Sequence, residues 1–148
     1  MDINELVIGS AHISTDTKVQ DLRKCQEFIF DDNSDDEIAL VRSNSNQVQF
    51  LNGRFYVMFF FDKGLLYKIE LYPVLEDSAD PGYPDRKYEL KKFEFCKGLL
   101  KNTFGEPDEQ TDSYVIYENS DYKISTFLIG EGRERFTGGN ILVRMNDF

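Results

Sequence analysis

The sequence predicts an α+β fold, an antiparallel sheet with two helices packed on one face, and its two halves read as a candidate structural duplication. Three observations lead there. Two stretches have helical apolar spacing. Each is followed by a group of short apolar runs separated by turn residues, which is not the strand-helix alternation of a parallel sheet. At 148 residues, with 41% hydrophobic and 14% aromatic residues, the chain has the size and the material for a single domain spanning 1–148, without a metal or disulfide staple.

The first helix is expected after Ser14-Thr15-Asp16-Thr17, a run of N-cap residue types. Val19, Leu22 and Cys25 lie along one side of it, and Thr17 and Gln20 stand at capping-box spacing. Strands are expected at 27–30, 38–42, 47–51, 55–61 and 65–72. Between the last two, Asp62-Lys63-Gly64 suits a type I turn closed by a glycine in the left-handed region. Residues 55–61 read Phe-Tyr-Val-Met-Phe-Phe-Phe, apolar on both alternating faces, so either both faces of this strand are covered or one is a contact surface. The next strand sets Tyr67, Ile69 and Leu71 opposite Lys68, Glu70 and Tyr72, and one of its faces is expected to meet water.

Residues 73–85 hold Pro73, Pro81 and Pro84 among Asp77, Asp80 and Gly82, and read as a connector between halves at about 1–74 and 86–148. The second helix is expected over 86–104. Tyr88, Phe93, Cys96, Leu99, Leu100 and Phe104 form its apolar stripe, Asp85 is placed to cap it, Gly105 to end it and Pro107 to stop it. An acidic loop then leads to strands at 113–118, 122–129 and 140–145. Asn119-Ser120 makes the first of their connections hairpin-like, while Gly130, Gly132, Gly138 and Gly139 make the second long and mobile.

The start, Met1-Asp2-Ile3-Asn4-Glu5-Leu6, has no basic stretch ahead of an apolar run, and the longest apolar run, 55–61, is far too short to span a bilayer as a helix. Cys25 and Cys96 each fall on the apolar side of an expected helix and read as buried thiols. A cytoplasmic location is the expectation.

Charge is the most informative feature. With 27 Asp and Glu against 17 Lys and Arg the net charge is −10, a field that argues against nucleic acid or an anionic membrane as principal ligand. The halves 1–74 and 75–148 hold 12 acids against 7 bases and 15 against 10, so no acidic tail accounts for the imbalance. The second helix carries Arg86, Lys87, Lys91, Lys92, Lys97 and Lys101 against Glu89 and Glu94, which leaves −14 for the rest, gathered in 31–37, 76–85 and 106–112. Acidic loops serve solubility. They also make a steering surface for a basic protein partner.

Catalytic patterns are thin. His12 stands alone, which supports neither a multi-His metal site nor a triad. Asp31-Asp32-Asn33-Ser34-Asp35-Asp36-Glu37 resembles the start of a calcium loop but has Asp36 where the glycine belongs and Arg42 where the bidentate Glu belongs. The glycines at 130, 132, 138 and 139 precede a strand and not a helix, so they do not form a phosphate loop, and Arg133 and Arg135 read as solvent-facing. Neither enzymatic activity nor a cofactor is expected.

A helix ending Leu99-Leu100-Lys101-Asn102-Thr103-Phe104-Gly105-Glu106-Pro107 and followed by paired strands, in a small acidic chain, resembles the immunity proteins of bacterial polymorphic or contact-dependent toxin systems. The tandem helix-and-strands order is also similar to the β-lactamase-inhibitor-protein-like fold. The resemblance implies a role, inhibition of a cognate toxin domain, and carries over no functional residue.

The expected function is therefore non-enzymatic binding of a basic protein, most concretely a bacterial toxin domain, through Asp31, Asp32, Asp35, Asp36, Glu37, Asp77, Asp80, Glu106, Asp108 and Glu109, with Tyr72 and Tyr83 as aromatic anchors beside Tyr117 and Tyr122. The alternative is a small-ligand or minor enzymatic site in a pocket between helix and sheet bordered by Phe59 and Phe60. A homodimer is compatible with the two-faced strand.

Overall fold

The computed structural model describes residues 6–30, 38–44, 47–75, 86–128 and 138–146. In chain order the elements are β1 (Leu6–Ile8), β2 (Ala11–Ile13), α1 (Val19–Arg23), β3 (Phe28–Phe30), β4 (Ile38–Ser43), β5 (Val48–Phe50), β6 (Gly53–Asp62) and β7 (Leu65–Pro73). They continue with α2 (Arg86–Phe104), β8 (Glu109–Thr111), β9 (Tyr114–Glu118), β10 (Tyr122–Phe127) and β11 (Ile141–Met145). The fold is α+β and the strand pairs are antiparallel.

The main sheet has nine strands, in the order β3-β4-β6-β7-β11-β10-β9-β8 with β5 pairing the start of β6. The order has a mirror. α1 is followed by β3, β4, β6 and β7, α2 by β8, β9, β10 and β11, and the last strand of each set pairs with the other at the centre. A helix followed by a four-stranded meander thus occurs twice, with β5 as an addition to the first.

One face of the sheet is the core. Val41, Phe59, Ile69, Val143, Ile124 and Tyr117 lie in register across six adjacent strands, and each is at most 1% exposed. Burying each such side chain contributes about 1.5–3 kcal/mol relative to leaving it in water. α2 lies on this face with Phe93, Cys96 and Leu100 inward, Phe95 at 6.3 Å from the Phe55 ring and Phe104 at 5.4 Å from Tyr117. The β1–β2 hairpin and α1 cover the first half through Leu6, Ile8, Ala11, Ile13, Val19 and Leu22, and the Gly9 N–H donates to Gln49 O at 2.8 Å.

Several local features depart from the sequence expectations. The β1–β2 hairpin is an addition, turned by Gly9 at φ +60°. α1 begins a residue later than the Thr17–Gln20 pattern implies. Asp21 closes its first turn by accepting from the Lys18 N–H at 2.8 Å, while Thr17 Oγ1 accepts from the Ser14 N–H. Cys25 falls beyond the helix and is only half-buried. The β6–β7 connection is a two-residue loop, Lys63 and Gly64 both at positive φ, which is the type I′ geometry that suits strand twist and not the type I turn. A register shift at Phe60/Phe61 makes Tyr67 the extra residue of β7, so Leu66 faces the core with Ile69 and Leu71 in place of Tyr67.

Gly138 and Gly139 do not belong to an exposed loop. Both are buried, and a Cβ on Gly139 would stand 2.5 Å from Lys92 Cβ and 2.9 Å from Glu89 O, so this is where the backbone passes beneath α2. Arg133, Arg135 and Asp85 lie outside the described residues.

Candidate functional site: the open face and acidic edge of the sheet

The residues that alternate with the core make the second face, and neither helix lies on it. Ile29, Arg42, Met58, Glu70, Leu142, Ser125, Ile116 and Glu109 run in register across it from β3 to β8. Seven intervals of about 4.8 Å give this row a length of roughly 34 Å. The two-faced strand is thereby resolved: Phe55, Val57, Phe59 and Phe61 enter the core, while Tyr56 is 45% exposed and Met58 and Phe60 are half-buried.

Tyr72, next to Tyr56 in register, is half-buried on this face and its hydroxyl donates to the Glu70 carboxylate. The other Glu70 oxygen lies 3.2 Å from Lys68 Nζ, which in turn sits 4.3 Å from the centroid of the Phe60 ring. Phe60 and Phe59 are on opposite faces, and Phe59 is packed edge-to-face on Phe28 at 5.0 Å, so no helix–sheet pocket is bordered by both. A cleft of about 230 Å³ lies elsewhere, lined by Lys18, Val19, Gln20 and Gly64.

Beyond β9 the sheet ends in β8, whose three residues, Glu109, Gln110 and Thr111, are all exposed. This stretch was expected as a loop. It pairs because the Asp108 N–H donates to Ile116 O at 2.9 Å and the Asp108 carboxylate accepts from the Glu118 N–H at 2.7 Å. Glu109 accepts from the Tyr114 hydroxyl at 2.7 Å. Residues 102–122 contain six acids, Glu106, Asp108, Glu109, Asp112, Glu118 and Asp121, and no base. All six are exposed. Among the described residues the last strand of the sheet is thus fringed by negative charge.

Of the residues expected to bind a partner, Glu106, Asp108 and Glu109 are gathered at this edge, and Tyr72 stands four strands away on the open face. Asp31, Asp32, Asp35, Asp36, Glu37, Asp77, Asp80 and Tyr83 lie outside the described residues. Tyr117 and Tyr122 are corrections to the list of anchors: at 1% and 4% exposure they belong to the core. The Tyr117 hydroxyl donates to Gly105 O at 2.7 Å, tying β9 to the end of α2. Burial, with Glu106 and Asp108 nearby, pushes its pKa up to about 12. Asp112 lies within the acidic segment 106–112 without having been named as a contact, while Glu118, at the end of β9, and Asp121, in the following turn, lie beyond that segment and enter only when the base-free window is followed to 122.

Cys96 donates to Gly139 O at 3.3 Å, and burial pushes its thiol up to about 12, leaving it protonated and inert at neutral pH. His12 is exposed on β2. Among the described residues no group of three or more His, Cys, Asp or Glu is placed to hold a metal ion, and no helix is long and apolar enough to cross a membrane.

Comparison of the chain with protein-family models, with curated proteins and with solved structures finds no match.

Proposed function

We propose that the protein is a non-enzymatic binding module that receives a basic protein on its β8–β9 edge, most concretely an immunity protein that neutralises a cognate bacterial toxin domain in the cytoplasm. The observation that carries this reading is the concentration of six exposed acids and no base over residues 102–122. Within one Debye length their fields add, which speeds encounter with a cationic surface and disfavours acidic partners. The fixed partners of Asp108 and Glu109 hold two of these carboxylates in place before binding, which lowers the ordering cost of an interface.

Acids on an edge strand also prevent edge-to-edge aggregation. The two roles separate experimentally. Co-expression with the product of the reading frame immediately upstream should give a stable complex and protect the host from its toxicity. Failure of both complex formation and protection contradicts the proposal.

A further inference from the structure

We propose that the open face, where it adjoins the acidic edge, receives an arginine side chain of the basic partner: Phe127 and Tyr114 stack against the guanidinium and Glu109 pairs with it. The inference rests on the binding reading above and names the side chain by which that partner docks. Tyr114 lies between Thr111 and Phe127, in register on β8, β9 and β10. Val115 and Thr126, which alternate with the two aromatics, are fully buried, so Tyr114 and Phe127 belong to the open face. Their rings are 5.5 Å apart and inclined at 38°, and both side chains are only half-buried. Glu109 is on the same face, and the Tyr114 hydroxyl donates to its Oε1 at 2.7 Å. That bond holds ring and carboxylate together, while a carboxylate has further acceptor sites to offer. Asp112, exposed in the turn between β8 and β9, adds a second negative charge two residues from Tyr114.

The surroundings select the occupant. No residue of 102–122 is basic, and the base on β10, Lys123, stands four residues from Phe127, about 14 Å at 3.4 Å per residue, where it faces Glu118. An acidic side chain beside Phe127 would meet Glu109 and Asp112 and be repelled. An apolar one would cover the Glu109 carboxylate without pairing it. A cation satisfies both the rings and the carboxylate. Between the two cationic side chains the geometry favours arginine, because a planar guanidinium stacks on a ring while its N–H fork meets a carboxylate, whereas an ammonium is a hydrated point charge with no face to stack.

The test uses the full chain, labelled with ¹⁵N and ¹³C, titrated separately with hexa-arginine and hexalysine. Both peptides are expected to shift the amides of 109–118. Hexa-arginine should bind at least about threefold more tightly and show nuclear Overhauser contacts between its δ-protons and the Phe127 ring. Phe127→Leu should abolish the preference for arginine while changing hexalysine affinity by less than about twofold, and Glu109→Gln should weaken hexa-arginine binding at least about threefold. The contact to Phe127 is read on the wild-type chain, so the test stands even where Phe127→Leu fails to fold. Equal affinity for the two peptides, no contact to the Phe127 ring, a preference that survives in folded Phe127→Leu, or an unchanged affinity in Glu109→Gln overturns the inference. Equal binding of both peptides at 109–118 leaves the edge reading standing, whereas no response to either peptide there removes that reading too.

Discussion

Gly105 and Gly139 both sit at φ +79°, but only one is crowded. A Cβ on Gly105 meets nothing within 4 Å, so Gly105→Ala should cost about 1–2 kcal/mol of backbone strain alone. Gly139→Ala adds a clash with the α2 backbone and should cost about 3–5 kcal/mol. Urea unfolding of the two variants checks the difference, and equal losses would contradict the packing of α2 on this segment. The helix-ending role of Gly105 was legible from the stripe before it and Pro107 after it. That of Gly139 was not, because close approach is a tertiary fact and the surrounding glycines read as a mobile loop. The thiols divide in the same way: iodoacetamide at pH 8 should modify half-buried Cys25 readily and Cys96 only when the chain unfolds. Cys96 and Tyr117 have folded pKa values near 12, raised from ordinary values of 9.0 and 10.0. The folded state therefore holds these protons longer than the unfolded one, and stability should fall as pH rises from about 9 to 12, measured as a declining Tm.

Among the elements, α2 and β6 were the most legible, α2 from a helical apolar period sustained over many residues and β6 from its unbroken apolar run at 55–61. β8 was not legible at all. Its Glu-Gln-Thr is exposed on both sides and has no apolar alternation to betray a strand, and it pairs through the backbone and through Asp108, whose role needs the neighbouring strand to exist. The β1–β2 strands were missed for a related reason, as three residues are too few to establish a period. If the acids of β8 also guard the edge, Glu109→Val with Asp112→Val should raise self-association, visible by light scattering as a concentration-dependent increase in mass. A strictly monomeric variant would show that the edge needs no guard, and would leave partner steering as the reason for its charge.

At the scale of the whole molecule, the overall charge of −10 hides a layout: an acidic edge at β8–β9, a row of three bases on the open face, Lys68, Arg144 and Lys123, that ends against Glu118, and a basic helix on the opposite side of the sheet. The acid-rich segment around 106–112 could be read along the chain. The row of bases could not, because Lys68, Lys123 and Arg144 are far apart in sequence and meet only through the pairing of β7, β11 and β10. The same pairing, which brings the last strands of the two halves together, made visible a duplication that element order alone could only suggest. The most direct measurement for the central claim is the affinity of the upstream reading frame's product for the wild-type chain and for a Glu106→Gln/Glu109→Gln/Asp112→Asn/Glu118→Gln variant, by calorimetry at 50 mM NaCl. The variant should retain the wild-type Tm to within a few degrees and bind at least about tenfold more weakly. A folded variant that binds with undiminished affinity would contradict the account.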